Sequence, residues 1–123
     1  MTRPVVLLID SDDAQRQAHG DVVRRAGCWL LPAAKVEDAV VLCSKIRPSL
    51  IVTASSLIDG DVGDLLAKLR PIPALASVPV LVLPKTEGDM APSLSDDRVR
   101  WVSPPPSPDA LKALIEEGAV RGL

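Results

Sequence analysis

Five short apolar runs, most of them separated by a helix-length amphipathic pattern, limit this chain to a small set of folds. Residues 5–9 read VVLLI without a polar break, between Pro4 and the acidic cluster Asp10, Asp12 and Asp13. A continuous apolar run rich in β-branched residues suits a strand covered on both faces, as in a parallel sheet. Similar runs fall at 28–31, 50–54 and 79–83, with a weaker one at 99–102.

The segments between them carry helical periodicity. Over 13–26, Ala18, Val22, Val23 and Ala26 form an apolar stripe; Ser11 or Asp12 can cap its start, and Gly27 can end it in the left-handed conformation. Over 36–46, Ala39, Leu42, Cys43 and Ile46 share a face, and Pro48 stops further helix. A third helix over 62–69 turns Leu65, Leu66 and Leu69 inward. A last one starts at Ser107, with Pro108 in its first turn, and buries Leu111, Leu114 and Ile115.

Strands alternating with short helices imply right-handed crossovers and helices on both faces of the sheet. The expected architecture is an α/β flavodoxin-like doubly wound sheet of five parallel strands, order 2-1-3-4-5. Residues 85–98, KTEGDMAPSLSDDR, break the rhythm, so the fourth helix is expected to be short or irregular. At 123 residues the chain is expected to form a single domain, 1–123.

Composition excludes several functions. Tyr and Phe are absent and Trp29 and Trp101 are the only aromatics, too few for a base-stacking platform or an aromatic cage. The net charge is −2 and no basic stretch accumulates, so no nucleic-acid partner is expected. The opening MTRPVVLLIDSDD meets acid after only a few apolar residues, which suits neither a signal peptide nor a membrane span. The expected compartment is the cytoplasm, where Cys28 and Cys43 would stay unpaired as buried structural thiols.

In an open parallel sheet the reacting groups gather at the carboxyl ends of the strands, here residues 10–13, 54–61, 84–85 and 103–106. At these positions the chain resembles a response-regulator receiver domain. LLIDSDDAQRQ is similar to the family's acidic opening and VVRRAGCWL to its exit from the first helix into the second strand. RPSLIVTASSLIDGDVGDLLAKLR is similar to its third strand, active-site loop and third helix, SVPVLVLP to its fourth strand, and VSPPPSPDAL to the start of its last helix.

An active receiver holds Mg²⁺ on two acidic residues after the first strand and accepts a phosphoryl group on an Asp ending the third. A Thr or Ser ends the fourth strand, and a Lys precedes a Pro after the fifth. The metal and the cation neutralise the charge that a carboxylate meets when it attacks phosphorus. The resemblance places Asp10 and Ser11 at the acidic pair, with Asp12 following, and Ala54 at the phosphoacceptor. It places Pro84 at the hydroxyl position, Pro104 at the Lys and Pro105 at the Pro. A methyl group cannot become an acyl phosphate, so the resemblance implies a degenerate pseudo-receiver with no phosphoacceptor, no metal and no cofactor.

The other readings of these residues are plainer. Asp10, Asp12 and Asp13 offer carboxylates to a divalent cation, which needs only one or two plus waters, but without a carboxylate on the third strand the expectation is helix capping and placement at the positive end of the first helix. Asp59 reads as turn chemistry with Gly60. His19 reads as a packing residue of the first helix. Ser55 and Ser56 are loop serines with no second His to activate them, so no enzyme is expected.

Trp101 lies where the family carries an aromatic on the face formed by the fourth helix, fifth strand and fifth helix. It reads either as a hydrophobic anchor or as a docking residue. The function this implies is a phosphorylation-independent protein-interaction module in two-component-type signalling, alone or as a homodimer. The alternative is a small-ligand domain that reuses the emptied acidic pocket, since Ala54, Pro84 and Pro104 make its rim apolar.

Overall fold

The computed structural model describes residues 3–84, 98–102 and 106–120. Its strands are β1 (Val5–Ile9), β2 (Trp29–Ala33), β3 (Leu50–Ala54), β4 (Ser56–Leu57), β5 (Gly60–Asp61), β6 (Val80–Leu83) and β7 (Val99–Trp101). Its α-helices are α1 (Asp13–Arg25), α2 (Val36–Cys43), α3 (Val62–Leu69) and α4 (Pro108–Ile115), the last running on into a π-helical turn over Glu116–Val120. β2-β1-β3-β6-β7 form one parallel sheet, and β4-β5 a small antiparallel hairpin beside it. The expected flavodoxin-like order is therefore the one observed.

Alternation along the central strands sends side chains to two cores. Leu7, Ile9, Ile51, Val80 and Val82 meet Val36, Ala39 and Cys43 of α2 and Val62, Leu65, Leu66 and Leu69 of α3. Val6, Leu8, Leu50, Val52, Leu81 and Leu83 meet Val22 and Val23 of α1 and Leu111 and Ile115 of α4. β1, β3 and β6 are thus covered on both faces, which is why they read as nearly unbroken apolar runs, while the edge strands β2 and β7 stay partly exposed.

Three of the four α-helices start on a local side-chain cap, and those of α1 and α4 are the ones expected from the sequence. Asp12 caps α1 by accepting the Gln15 N–H at 3.0 Å, Ser107 caps α4 by accepting that of Ala110 at 3.2 Å, and Asp61 and Asp64 form a reciprocal capping box on α3. Gly27 follows α1 with φ +81, the left-handed position that glycine fills without a Cβ penalty.

Four expectations need correcting. The second strand is Trp29–Ala33 and not 28–31: it pairs residue for residue with β1, from Val5↔Trp29 to Ile9↔Ala33, and an edge strand tolerates Pro32. α2 ends at Cys43, because the Ser44 hydroxyl donates to the Val41 carbonyl and competes with further helix, and Ile46 is left exposed. Ala18 faces solvent: α1 approaches the sheet through Gly20, where a Cβ would lie 2.9 Å from the Leu30 side chain. The weaker fifth run contributes only Val99–Trp101 to the sheet. Residues 85–97, where a short helix or loop was expected, lie outside the described residues.

Candidate functional site

The carboxyl ends of β1, β3 and β6 converge on a cleft of about 180 Å³. Asp10, Asp12, Gln15 and His19 form its polar side, and Ala54, Leu83, Pro84 and Pro106 its apolar side. The β1–α1 connection places the polar groups. Asp10 leaves the sheet directly after Ile9, and Asp12, Gln15 and His19 then recur at helical spacing, so one face of the first two turns looks into the cleft.

Asp10 is only 5% exposed. Its backbone N–H donates to Ala33, and its Oδ1 accepts the Asp12 N–H at 2.9 Å. Arg16 lies close, but its Nη1 donates to the Asp10 backbone carbonyl and its Nη2 pairs with Asp13. The second carboxylate oxygen of Asp10 has no hydrogen bond among the described residues. Across the cleft, β3 ends at Ala54, whose methyl group is buried.

Ser11 turns away from the cleft. Its hydroxyl donates to the Ala34 carbonyl after β2 and accepts the Ile58 N–H of the β4–β5 turn at 2.9 Å. Next to Ile58, Asp59 reaches back to the start of α2 and accepts the N–H groups of Val36 at 2.7 Å and Glu37 at 3.1 Å. Desolvation pushes the Asp59 carboxyl up, but the bonds from Glu37, Val36 and its own backbone, with Lys35 nearby, outweigh it. The net result is a carboxyl held below its ordinary value. Asp59 does sit in a turn before Gly60, as expected, yet its carboxylate is the missing cap of α2, whose own N-cap Lys35 makes no side-chain bond.

His19, read as a packing residue, is a wall of the cleft. Burial lowers its basicity, partly opposed by the charge of Asp10, and its Nδ1 is buried with no hydrogen-bond partner among the described residues. Gln15 and His19 were missed as site residues. Their spacing of three and seven from Asp12 on one helix face was the available signal.

Trp101 pairs with Val82 in the sheet, is half-buried against the α2–α3 core, and keeps a buried indole N–H with no partner among the described residues. Pro104 and Pro105 lie outside the described residues. Cys28 and Cys43 are unpaired and buried, and burial pushes the Cys43 thiol up to about 11.

No family model matches the chain, and no curated protein matches its sequence. Solved structures do match its fold. The chemotaxis response regulator CheY4 of Vibrio cholerae superposes with a TM-score of 0.80 at 20% identity, covering 94% of this chain and 98% of that one. The signal receiver domain of an HD domain-containing protein from Pseudomonas fluorescens Pf-5 gives 0.80 at 21% identity, over 95% and 94%. The receiver domain of the sensor histidine kinase PA1611 from Pseudomonas aeruginosa PAO1, solved with a magnesium ion coordinated in the active-site cleft, gives 0.76 at 17% identity, over 95% and 98%. The chain therefore has the fold of response-regulator receiver domains.

That fold implies Mg²⁺ at this rim, and the donors present do not fit it. Asp10 and Asp12 keep acceptor capacity, but no second acid stands beside Asp10, because position 11 is a serine whose hydroxyl is used twice by neighbouring loops. Ala54 offers no donor. Among the described residues no cluster of three His, Cys, Asp or Glu is placed to hold a metal ion.

Proposed function

We propose that this chain is a pseudo-receiver: a receiver-type module of two-component signalling that docks a protein partner without being phosphorylated. The observation that carries the reading is Ala54. It closes β3 at the rim where ligands of doubly wound sheets bind, beside the buried Asp10, and its methyl group has no nucleophilic atom.

The remaining rim supports the same reading. Ser11 stands beside Asp10 where the family carries a second acid, and its hydroxyl ties two loops together. Pro84, which follows β6, supplies neither an O–H nor an N–H to sense a phosphoryl group. In an active receiver the acyl phosphate draws loops inward by new contacts. Here the β2–α2 loop and the β4–β5 turn are joined already, through Ser11 and Asp59. Signalling then comes from a fixed surface, and Trp101 on the β7 edge, half-buried against the core, is its proposed anchor. The compartment proposed is the cytoplasm and the partner a protein, with a second copy of the chain as one case. No helix among the described residues is long and apolar enough to cross a membrane.

Beryllofluoride with Mg²⁺, which mimics an acyl phosphate, tests the reading through Trp101 fluorescence. The expected result is an unchanged emission spectrum at saturating beryllofluoride. A Mg²⁺-dependent change would show that the rim still takes a phosphoryl group, and the reading would fail.

A further inference from the structure

The cleft presents acceptors on one wall and hydrocarbon on the other. We propose that it binds a small organic cation, an amine, amidine or guanidine carried on a short apolar body.

The polar wall asks for N–H donors with positive charge. Asp10 is almost wholly buried, and one of its carboxylate oxygens has no hydrogen bond among the described residues. That oxygen is left open to a ligand in the cleft, and the neighbouring Arg16 is occupied with the Asp10 carbonyl and Asp13. The Asp12 carboxylate accepts one backbone N–H from Gln15 and has acceptor capacity left over. His19 adds a buried Nδ1 without a partner, which in the Nε2–H tautomer is a further acceptor.

The opposite wall selects against a hydrated inorganic ion. Ala54, Leu83 and Pro84 give it a hydrocarbon surface, and Mg²⁺ keeps several of its waters, which this wall cannot hydrogen-bond. An anion would face two carboxylates. An organic cation satisfies both sides, its N–H groups on Asp10, Asp12 and His19 and its carbon skeleton on Ala54 and Leu83. The inference stands apart from the docking role, because it concerns the cleft and not the Trp101 edge.

The test titrates the full chain with benzamidine hydrochloride and with butylamine, following backbone amide signals by NMR and the melting temperature. Sodium benzoate and MgCl₂ serve as comparisons. The expected result is saturable shifts centred on Asp12, Gln15, His19 and Ala54 with either cation, a raised melting temperature, and no response to benzoate. Asp10→Asn keeps an oxygen for the Asp12 N–H but removes the charge, and should weaken benzamidine about tenfold or more. Ala54→Val narrows the cleft while leaving every charge in place, and should weaken benzamidine too, which decides the matter if Asp10→Asn fails to fold. The proposal is overturned by no saturable response, by an equal response to benzoate, by tighter binding of Mg²⁺, or by undiminished affinity in a folded variant.

Discussion

Ser11 joins two loops with one hydroxyl, taking the Ile58 N–H and giving its own hydrogen to Ala34. Ser11→Ala leaves both backbone groups to find water at a partly buried site, so it should cost about 1–2 kcal/mol in urea denaturation. Asp59 should show its role through pH. Its folded carboxyl lies below its unfolded value, so the stability it supplies is present above the unfolded value and is lost as pH falls through the folded one. Asp59→Asn should therefore lower the melting temperature at pH 7 and converge with wild type in strong acid. His19 has the opposite charge type and the same slope. Its basicity is lowered in the fold, so the unfolded chain protonates first and stability declines as pH drops below the unfolded value near 6.5. His19→Gln should flatten that part of the stability–pH curve; an unchanged slope would place His19 outside the cleft. None of these three roles was fully legible in the sequence. Each depends on which loops the sheet brings side by side, as when Asp59 meets Val36 at a sequence separation of 23.

Elements were far more legible than site partners, because their signals are local. The unbroken runs gave β1 and β3 their limits, and Asp12, Ser107 and Pro108 marked helix starts, since caps and apolar periodicity act over a few residues. Where element ends were misread, a tertiary effect or a competing local bond had intervened: β2 is held to the length of β1, and Ser44 cuts α2 short. Gly27 isolates one of these local effects. A Cβ there would meet nothing within 4 Å, so Gly27→Ala should cost about 1 kcal/mol through the positive φ alone, measurable as a shift in the denaturation midpoint. Leu111→Ala tests packing instead. It empties a fully buried position between α4 and the sheet and should cost about 2–5 kcal/mol.

At the scale of the molecule, the fold and the rim carry different information. Two dry cores on a doubly wound sheet specify the receiver fold at about one-fifth sequence identity, because hydrophobic pattern and topology survive extensive substitution. At the rim stand Ala54, Ser11 and Pro84, with loops tied by hydrogen bonds, and the proposed pseudo-receiver reading rests on them. Both cysteines are sealed in the cores, with thiols raised by burial, so native protein should not react with a thiol reagent at pH 8 while urea-unfolded protein reacts at both. The absence of aspartyl phosphorylation is tested most directly by incubating the full chain with acetyl phosphate and Mg²⁺ and weighing it by intact mass spectrometry. The unmodified mass should persist, for wild type and also for Ala54→Asp, since a restored carboxylate still lacks the second acid and the rim hydroxyl. A phosphoryl adduct on the wild-type chain would contradict the pseudo-receiver assignment outright.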